Sequence, residues 1–130
     1  MNKSYELIEE HNLIGVPFGW GGRNHKWKLD CYGLVKFLCE ERGISIPDYY
    51  TPSDKRLVNS FITSEMNSWE RTEKRTEGMV ALFRTARHLH VGYLLGDGRF
   101  AHTWEMSGGV VIEDLSTWER RMLGVYEYVG

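Results

Sequence analysis

The run His90-Val91-Gly92-Tyr93-Leu94-Leu95-Gly96-Asp97-Gly98-Arg99-Phe100-Ala101-His102 constrains this chain more than any other. Alternating apolar positions on both sides of a glycine-flanked aspartate predict two antiparallel strands, His88 to Leu95 and Arg99 to Glu105. The loop length decides the rest. If Gly96-Asp97-Gly98 is a three-residue loop with Gly98 left-handed, Leu95 faces Arg99. His102 then lies opposite Gly92 and diagonally beside His90, on the same face. A two-residue Asp97-Gly98 turn would slip the register by one and place the two histidines on opposite faces. Gly92 leaves room for the imidazoles to meet.

A second pattern precedes it. After the glycine-rich turn Gly19-Trp20-Gly21-Gly22, Asp30 is a good N-cap for a helix. Cys31, Leu34, Val35, Leu38, Cys39 and Arg42 fall on its buried stripe, and Gly43 is its stop. A thiol at Cys31 sits in the positive field of the helix N-terminus, which favours the thiolate. Cys39 lies eight residues further along the same helix. At ~1.5 Å per residue the two Cα atoms are ~12 Å apart, beyond the ~7 Å that a disulfide spans. Both are therefore expected to be free, with Cys39 as packing. A cysteine followed by histidines on a hairpin is the layout of a cysteine-nucleophile enzyme. In that reading His90 takes the proton of Cys31, His102 holds the His90 ring in one tautomer, and the Cys31 backbone N–H meets the oxyanion. His88 shares the face of His90 and competes with it, while alternation puts Glu105 on the other face.

The remaining elements give an α+β chain in one domain, residues 1–130. A first helix capped by Ser4 runs to about Asn12, and a third, more polar one spans Pro52 to Met66. Strands follow at Gly78–Phe83 and Gly109–Glu113, then a turn or short helix at Trp118 and a last strand Gly124–Val129. Helices first and an antiparallel meander afterwards is the expected arrangement. Glu70 to Arg75 alternates in charge and reads as a solvated surface, and the loop Gly21 to Leu29 reads as an exposed rim. A net charge of −2 leaves no electrostatic footprint for nucleic acid. Met1 to Gly15 lacks the apolar core of a signal peptide and no run suits membrane insertion, so synthesis in a cytoplasm is expected. Trp20, Trp27 and Trp104 are candidates for lining a groove.

Trp20-Gly21-Gly22, Asp30-Cys31-x-Gly33-Leu34-Val35, Gly43-Ile44-x-Ile46-Pro47, Gly78-x-Val80-x-Leu82-Phe83, the His90 hairpin with His102, and Val110-x-Ile112 together resemble the NlpC family of cell-wall cysteine peptidases, papain-like in fold. The likeness covers roughly residues 15 to 125. It implies N-terminal helices with the nucleophile helix packed on a C-terminal antiparallel sheet. It implies hydrolysis of a stem-peptide bond of peptidoglycan, typically D-glutamyl–diamino acid, through an acyl-enzyme. Cys31 becomes nucleophile, His90 general base and acid, and His102 the orienting third member. Trp20, Asp30 and Tyr32 become substrate contacts, and no metal or organic cofactor is implied. Pro17-Phe18-Gly19-Trp20-Gly21-Gly22-Arg23 and Phe83-Arg84 look most like phage- and prophage-tail members. That likeness implies tail proteins as partners and a virion or cell-wall destination. The chain departs from the pattern at Phe18 (usually Tyr), Tyr32 (usually Ser) and Met79 (usually Asp). Phe18 and Tyr32 leave open a structural tail component with weak or lost activity. Amidase or acyltransferase chemistry on the same nucleophile is also open.

Overall fold

Residues 2–48 and 68–130 are described by a computed structural model; the expected helix from Pro52 to Met66 lies outside them. Helix α1 (Lys3–Glu10) is capped by Asn2, whose Oδ1 accepts from the Tyr5 N–H at 3.0 Å. Ser4, expected as the cap, lies inside the helix instead. It is buried, with its hydroxyl 2.5 Å from Glu77 and 2.8 Å from the Tyr93 hydroxyl. The cap moved because Ser4 satisfies a polar cluster under the helix, and Asn2 was free to take the end.

A two-stranded ribbon, β1 (Arg23–Asn24) and β2 (Lys28–Leu29), occupies the loop read as an exposed rim. It leads into helix α2 (Cys31–Glu41), with Asp30 as N-cap. Leu34, Val35 and Leu38 on its inner stripe have at most 1% of their surface exposed, each contributing about 1.5–3 kcal/mol of burial. Gly43 follows the helix with φ +82°, the left-handed conformation that ends it.

The main sheet contains β3 (Trp69–Thr72), β4 (Val80–Arg84), β5 (Leu89–Leu94), β6 (Arg99–His102), β7 (Val111–Asp114) and β8 (Met122–Tyr128). Its order is β3-β8-β4-β5-β6-β7, antiparallel throughout. The expected meander therefore holds from β4 to β7 only. The last strand returns across the sheet and fits between β4 and β3. The charged run from Glu70 enters this edge strand, anchored by Trp69 edge-on against Tyr128 at 5.2 Å. Such charge suits an edge, where it discourages pairing with other chains. The strand expected to reach Glu105 ends at His102, and the short helix at Trp118 is a 3₁₀ helix, Leu115–Arg121.

The sheet has two covered faces. Helix α2 packs on one, against Val91, Tyr93 and Ala101. The other gathers Ala81, Phe83, Leu94 and Phe100 under Leu115 and Trp118 of the 3₁₀ helix. The hairpin takes the three-residue form. Leu95 N–H donates to Arg99 O at 2.9 Å, Tyr93 pairs with Ala101, and Gly96 and Gly98 both have positive φ. Gly92 serves a neighbour other than the imidazoles: a Cβ there would lie 2.6 Å from the Phe100 ring. Phe100 in turn stacks on His102, with ring centroids 4.4 Å apart.

Candidate active site

Asp30 organises the approach to Cys31. Its carboxylate accepts from Gly33 N–H at 2.7 Å, Gly21 N–H at 2.9 Å and the Arg23 guanidinium at 2.6 Å. It joins the glycine turn, the ribbon and the first turn of α2, and is 1% exposed. A Cβ at Gly33 would lie 2.2 Å from the Gly22 carbonyl, so only glycine lets the turn close on the helix. Tyr32 is also buried, with its hydroxyl donating to Pro47 O at 2.6 Å and the Arg23 guanidinium 5.6 Å from its ring. Neither Asp30 nor Tyr32 turns its side chain to solvent. Substrate contact was expected at these two positions. In this structure each holds its polar atoms inward, Asp30 as the helix cap and Tyr32 through its buried hydroxyl, and supports the cysteine turn.

Cys31 is 3% exposed and both cysteines are free. Burial, then the Asp30 carboxylate, pushes the Cys31 thiol up to about 12, against hydrogen bonds from the Val91 and Tyr32 N–H groups and the charge of Arg23. The field of the helix end, expected to favour the thiolate, is outweighed in the resting protein by loss of solvent. Burial likewise pushes Cys39 up to about 11.

The Val91 contact locates the thiol. Ladder pairing between β5 and β6 extends from Leu94–Phe100 to Tyr93–Ala101 and goes no further. At the next bonding position on β5, Val91, the Cys31 sulfur takes the N–H that a longer β6 would have used. The cysteine therefore sits where the two strands part, one residue from His90.

His90 and His102 meet on the other face. His90 Nε2 is 2.9 Å from His102 Nδ1, and His102 Nε2 is 2.6 Å from Glu113 Oε2. Both imidazoles have no exposed surface. Trp118 lies edge-on to His102 at 4.9 Å, and tilted to His90 at 5.6 Å. Burial, then the charge of His102, then that of His88 hold His90 well below the ordinary imidazole value. Burial also lowers His102, opposed by the hydrogen bond and charge of Glu113. His90 Nδ1 is buried without a hydrogen-bond partner. The expected Cys31–His90 hydrogen bond is thus absent from the resting structure, because the ring lies on the face away from α2 and the thiol is held by backbone N–H groups. Catalytic hydrogen bonds commonly tighten only with substrate in place.

Around this pair, His88 is buried, with Nδ1 2.7 Å from Leu89 O and Nε2 3.4 Å from Glu105. Glu105 lies past the end of β6, where strand alternation no longer assigns a face. Trp20, half-buried, packs edge-on against His88 at 5.2 Å and Phe18 at 5.0 Å. A cleft of about 650 Å³ opens beside them, lined by Arg84, Arg87, His88, Trp104, Met106 and Arg121 among others. Trp27 stands apart, 67% exposed, beside Lys28. Among the described residues no group of three or more His, Cys, Asp or Glu side chains is placed to hold a metal ion.

The NlpC/P60 family model matches residues 15–127. The chain belongs to the NlpC/P60 family. Among curated relatives, a murein DD-endopeptidase of Escherichia coli, MepH, is 30% identical over 118 residues, 85% of this chain and 40% of that protein. A bifunctional muramidase/DL-endopeptidase of Bacillus subtilis, CwlT, is 26% identical over 115 residues, 87% of this chain and 32% of that protein. The chain thus spans a third to two-fifths of these relatives' lengths. An NLP/P60 lipoprotein-like structure from Staphylococcus aureus superposes with a TM-score of 0.69 at 20% identity, covering all of this chain and 43% of that one. The NlpC/p60 domain of the peptidoglycan hydrolase SagA gives 0.63 at 17% identity, covering 98% of this chain and 99% of that one. These NlpC/P60 neighbours share the α+β fold.

Proposed function

We propose that this NlpC/P60 domain is a peptidoglycan endopeptidase that cuts stem peptides by thiol chemistry. The observation that carries the reading is the His90–His102 pair, buried at the point where β5 and β6 part around the Cys31 sulfur. Substrate binding brings His90 Nδ1 to the thiol and takes its proton. The sulfur attacks the scissile carbonyl, and the oxyanion is met by the Cys31 N–H at the open end of α2. The imidazolium returns the proton to the leaving amine, and the C–N bond breaks. Water, deprotonated by the same nitrogen, then releases the acyl group. The cleft lined by His88 and Trp104 receives the peptide, with Trp20 packed against His88. Its three arginines complement the carboxylates of a stem peptide.

The bond we assign is D-glutamyl–diamino acid. The names of the two relatives divide on this point, one being a DL- and the other a DD-endopeptidase. The phage-tail setting, with tail proteins as partners and the wall as destination, rests on the Pro17–Arg23 and Phe83-Arg84 motifs. The resting thiol, pushed up to about 12, favours a second reading, a structural tail component with weak or lost activity.

Digestion of purified peptidoglycan by the native protein and by Cys31→Ala, with fragments identified by mass spectrometry, separates these. Fragments ending in D-glutamate that vanish with Cys31→Ala support the assignment. Identical fragments from both proteins sink the thiol mechanism. A thiol-dependent cut at another bond keeps the enzyme and corrects the bond. Intact peptidoglycan throughout favours the structural reading.

A further inference from the structure

Glu113 lies on β7 at the edge of the sheet, two residues beyond the position that pairs with His102. It shares the face of Phe100 and His102. One carboxylate oxygen is 2.6 Å from His102 Nε2, and the other accepts from the Trp118 indole N–H at 3.4 Å. Neither the hairpin motif nor the family resemblance singled it out.

An ionised carboxylate can only accept hydrogen bonds, so His102 Nε2 must carry a hydrogen. With burial keeping His102 neutral, its Nδ1 then carries none. That nitrogen can only accept from His90 Nε2, 2.9 Å away. His90, also neutral by burial, has its hydrogen on Nε2 and a bare lone pair on Nδ1. This is the buried nitrogen without a partner.

Two neutral imidazoles in contact can run their hydrogen bond in either direction. In the reverse direction His102 Nδ1 donates, His90 carries its hydrogen on Nδ1, and no lone pair is left to take a thiol proton. The choice between the two chains is made outside the pair, at the one end where a group of fixed hydrogen-bonding sense stands.

We infer that Glu113 is a positioning residue that sets the tautomers of both His102 and His90, so that the basic nitrogen of the site is His90 Nδ1. The inference deepens the proposed function and rests on its assignment of His90 as the base. Glu113 touches neither the thiol nor the reacting carbonyl, and acts through two rings from the sheet edge. Its side chain is 39% exposed, so its substitution does not open a hole in the core.

The test uses the protein labelled with ¹⁵N at histidine, without substrate, as native chain, Glu113→Ala and Glu113→Gln. Imidazole nitrogen shifts should show hydrogen on Nε2 and a free Nδ1 for both rings in the native chain. Glu113→Ala should give mixed tautomers. Glu113→Gln has one acceptor oxygen for two neighbouring donors, His102 and Trp118. With the oxygen toward His102 it should keep the native pattern, and with the amide N–H toward His102 it should reverse both rings. Either is distinct from the mixture in Glu113→Ala. Against peptidoglycan fragments, Glu113→Ala should lower kcat about 10- to 100-fold, the scale on which the outer partners of metal-ligating histidines act. KM should stay unchanged, and the Glu113→Gln rate should follow its tautomers, near native where Nδ1 of His90 is bare and low where it carries hydrogen. Unchanged tautomers in Glu113→Ala overturn the inference. So does a rate loss of equal size in Gln and Ala with the tautomers intact. If no variant turns substrate over while Glu113→Ala still scrambles the nitrogens, tautomer control stands and the endopeptidase reading falls.

Discussion

The two faces of the sheet treat their chemical groups in opposite ways. On the helix face, Cys31 is surrounded by apolar packing, and Asp30 is consumed in holding the turn that delivers it. On the other face, His90 and His102 are as deeply buried, but they form a polar line that reaches the surface at Glu113. One face keeps its group protonated through loss of solvent; the other fixes where the protons of its groups sit. In the proposed mechanism the thiol is activated only when substrate brings the two faces' groups together. The tautomer chain, by contrast, leaves a lone pair on His90 Nδ1 before substrate arrives.

The largest effect tests whether the histidine face does chemistry at all. His90→Ala should reduce cleavage of peptidoglycan by about 10²–10⁴-fold, the range for a positioned general base, while the circular dichroism spectrum stays native. Alkylation makes the contrast sharper. Iodoacetamide should modify Cys31 slowly at neutral pH in the native protein, and His90→Ala should leave that rate unchanged, because no resting hydrogen bond links the two. Rapid labelling that slows in His90→Ala would place a thiolate–imidazolium pair in the resting state and erase the difference between the faces.

The next effect probes the helix face through its support. Asp30→Ala removes the cap of α2 and leaves Arg23 paired with Asp48. Breaking a buried ion pair costs about 3–5 kcal/mol, and chemical denaturation should show a loss near the lower end, since Arg23 keeps Asp48. A loss below about 1 kcal/mol would mean that Asp30 is free for another task, and would reopen its expected role at the substrate.

The helix face was the more legible in sequence. The spacing from Cys31 to Arg42, with Asp30 before it and Gly43 after it, fixes a helix by local rules alone, and α2 follows them. The hairpin was legible down to two registers, and the three-residue loop with Gly96 and Gly98 both at positive φ decides between them. Three features depended on contacts that no local pattern carries. Ser4 lost its cap role to a polar cluster built from residues some seventy to ninety positions away, Glu77 and Tyr93. The returning β8 is a choice of sheet edge, which strand patterns do not encode. Glu113 was hidden by the long connection from Thr103 to Val110, across which no turn rule sets the register of β7 against β6. The thiol's environment was missed for a related reason. The helix-end field can be read from Asp30-Cys31, but the desolvation that opposes it comes from the whole fold.

The smallest effect, about 1.4 kcal/mol per pH unit for each shifted group, separates the faces by the side of neutrality on which each acts. His90 and His102 titrate lower in the folded chain than in the unfolded one. Below their ordinary value of 6.5 the unfolded state binds protons that the folded state refuses, so stability falls on acidification. Cys31 and Cys39 titrate higher when folded, at about 12 and about 11 against 9.0. Above pH 9 the unfolded chain therefore releases protons that the folded chain keeps, and stability falls on alkalinisation. Tyr93, raised chiefly by burial, adds to this limb above pH 10, which leaves the interval from 9 to 10 as the cleanest report on the thiols. Urea denaturation across pH should show Cys31→Ala flattening the alkaline limb with the acid limb untouched, and His90→Ala doing the reverse. If Cys31→Ala altered the acid limb instead, the thiol and the imidazole would be exchanging charge at rest, and the two faces would be one titrating unit.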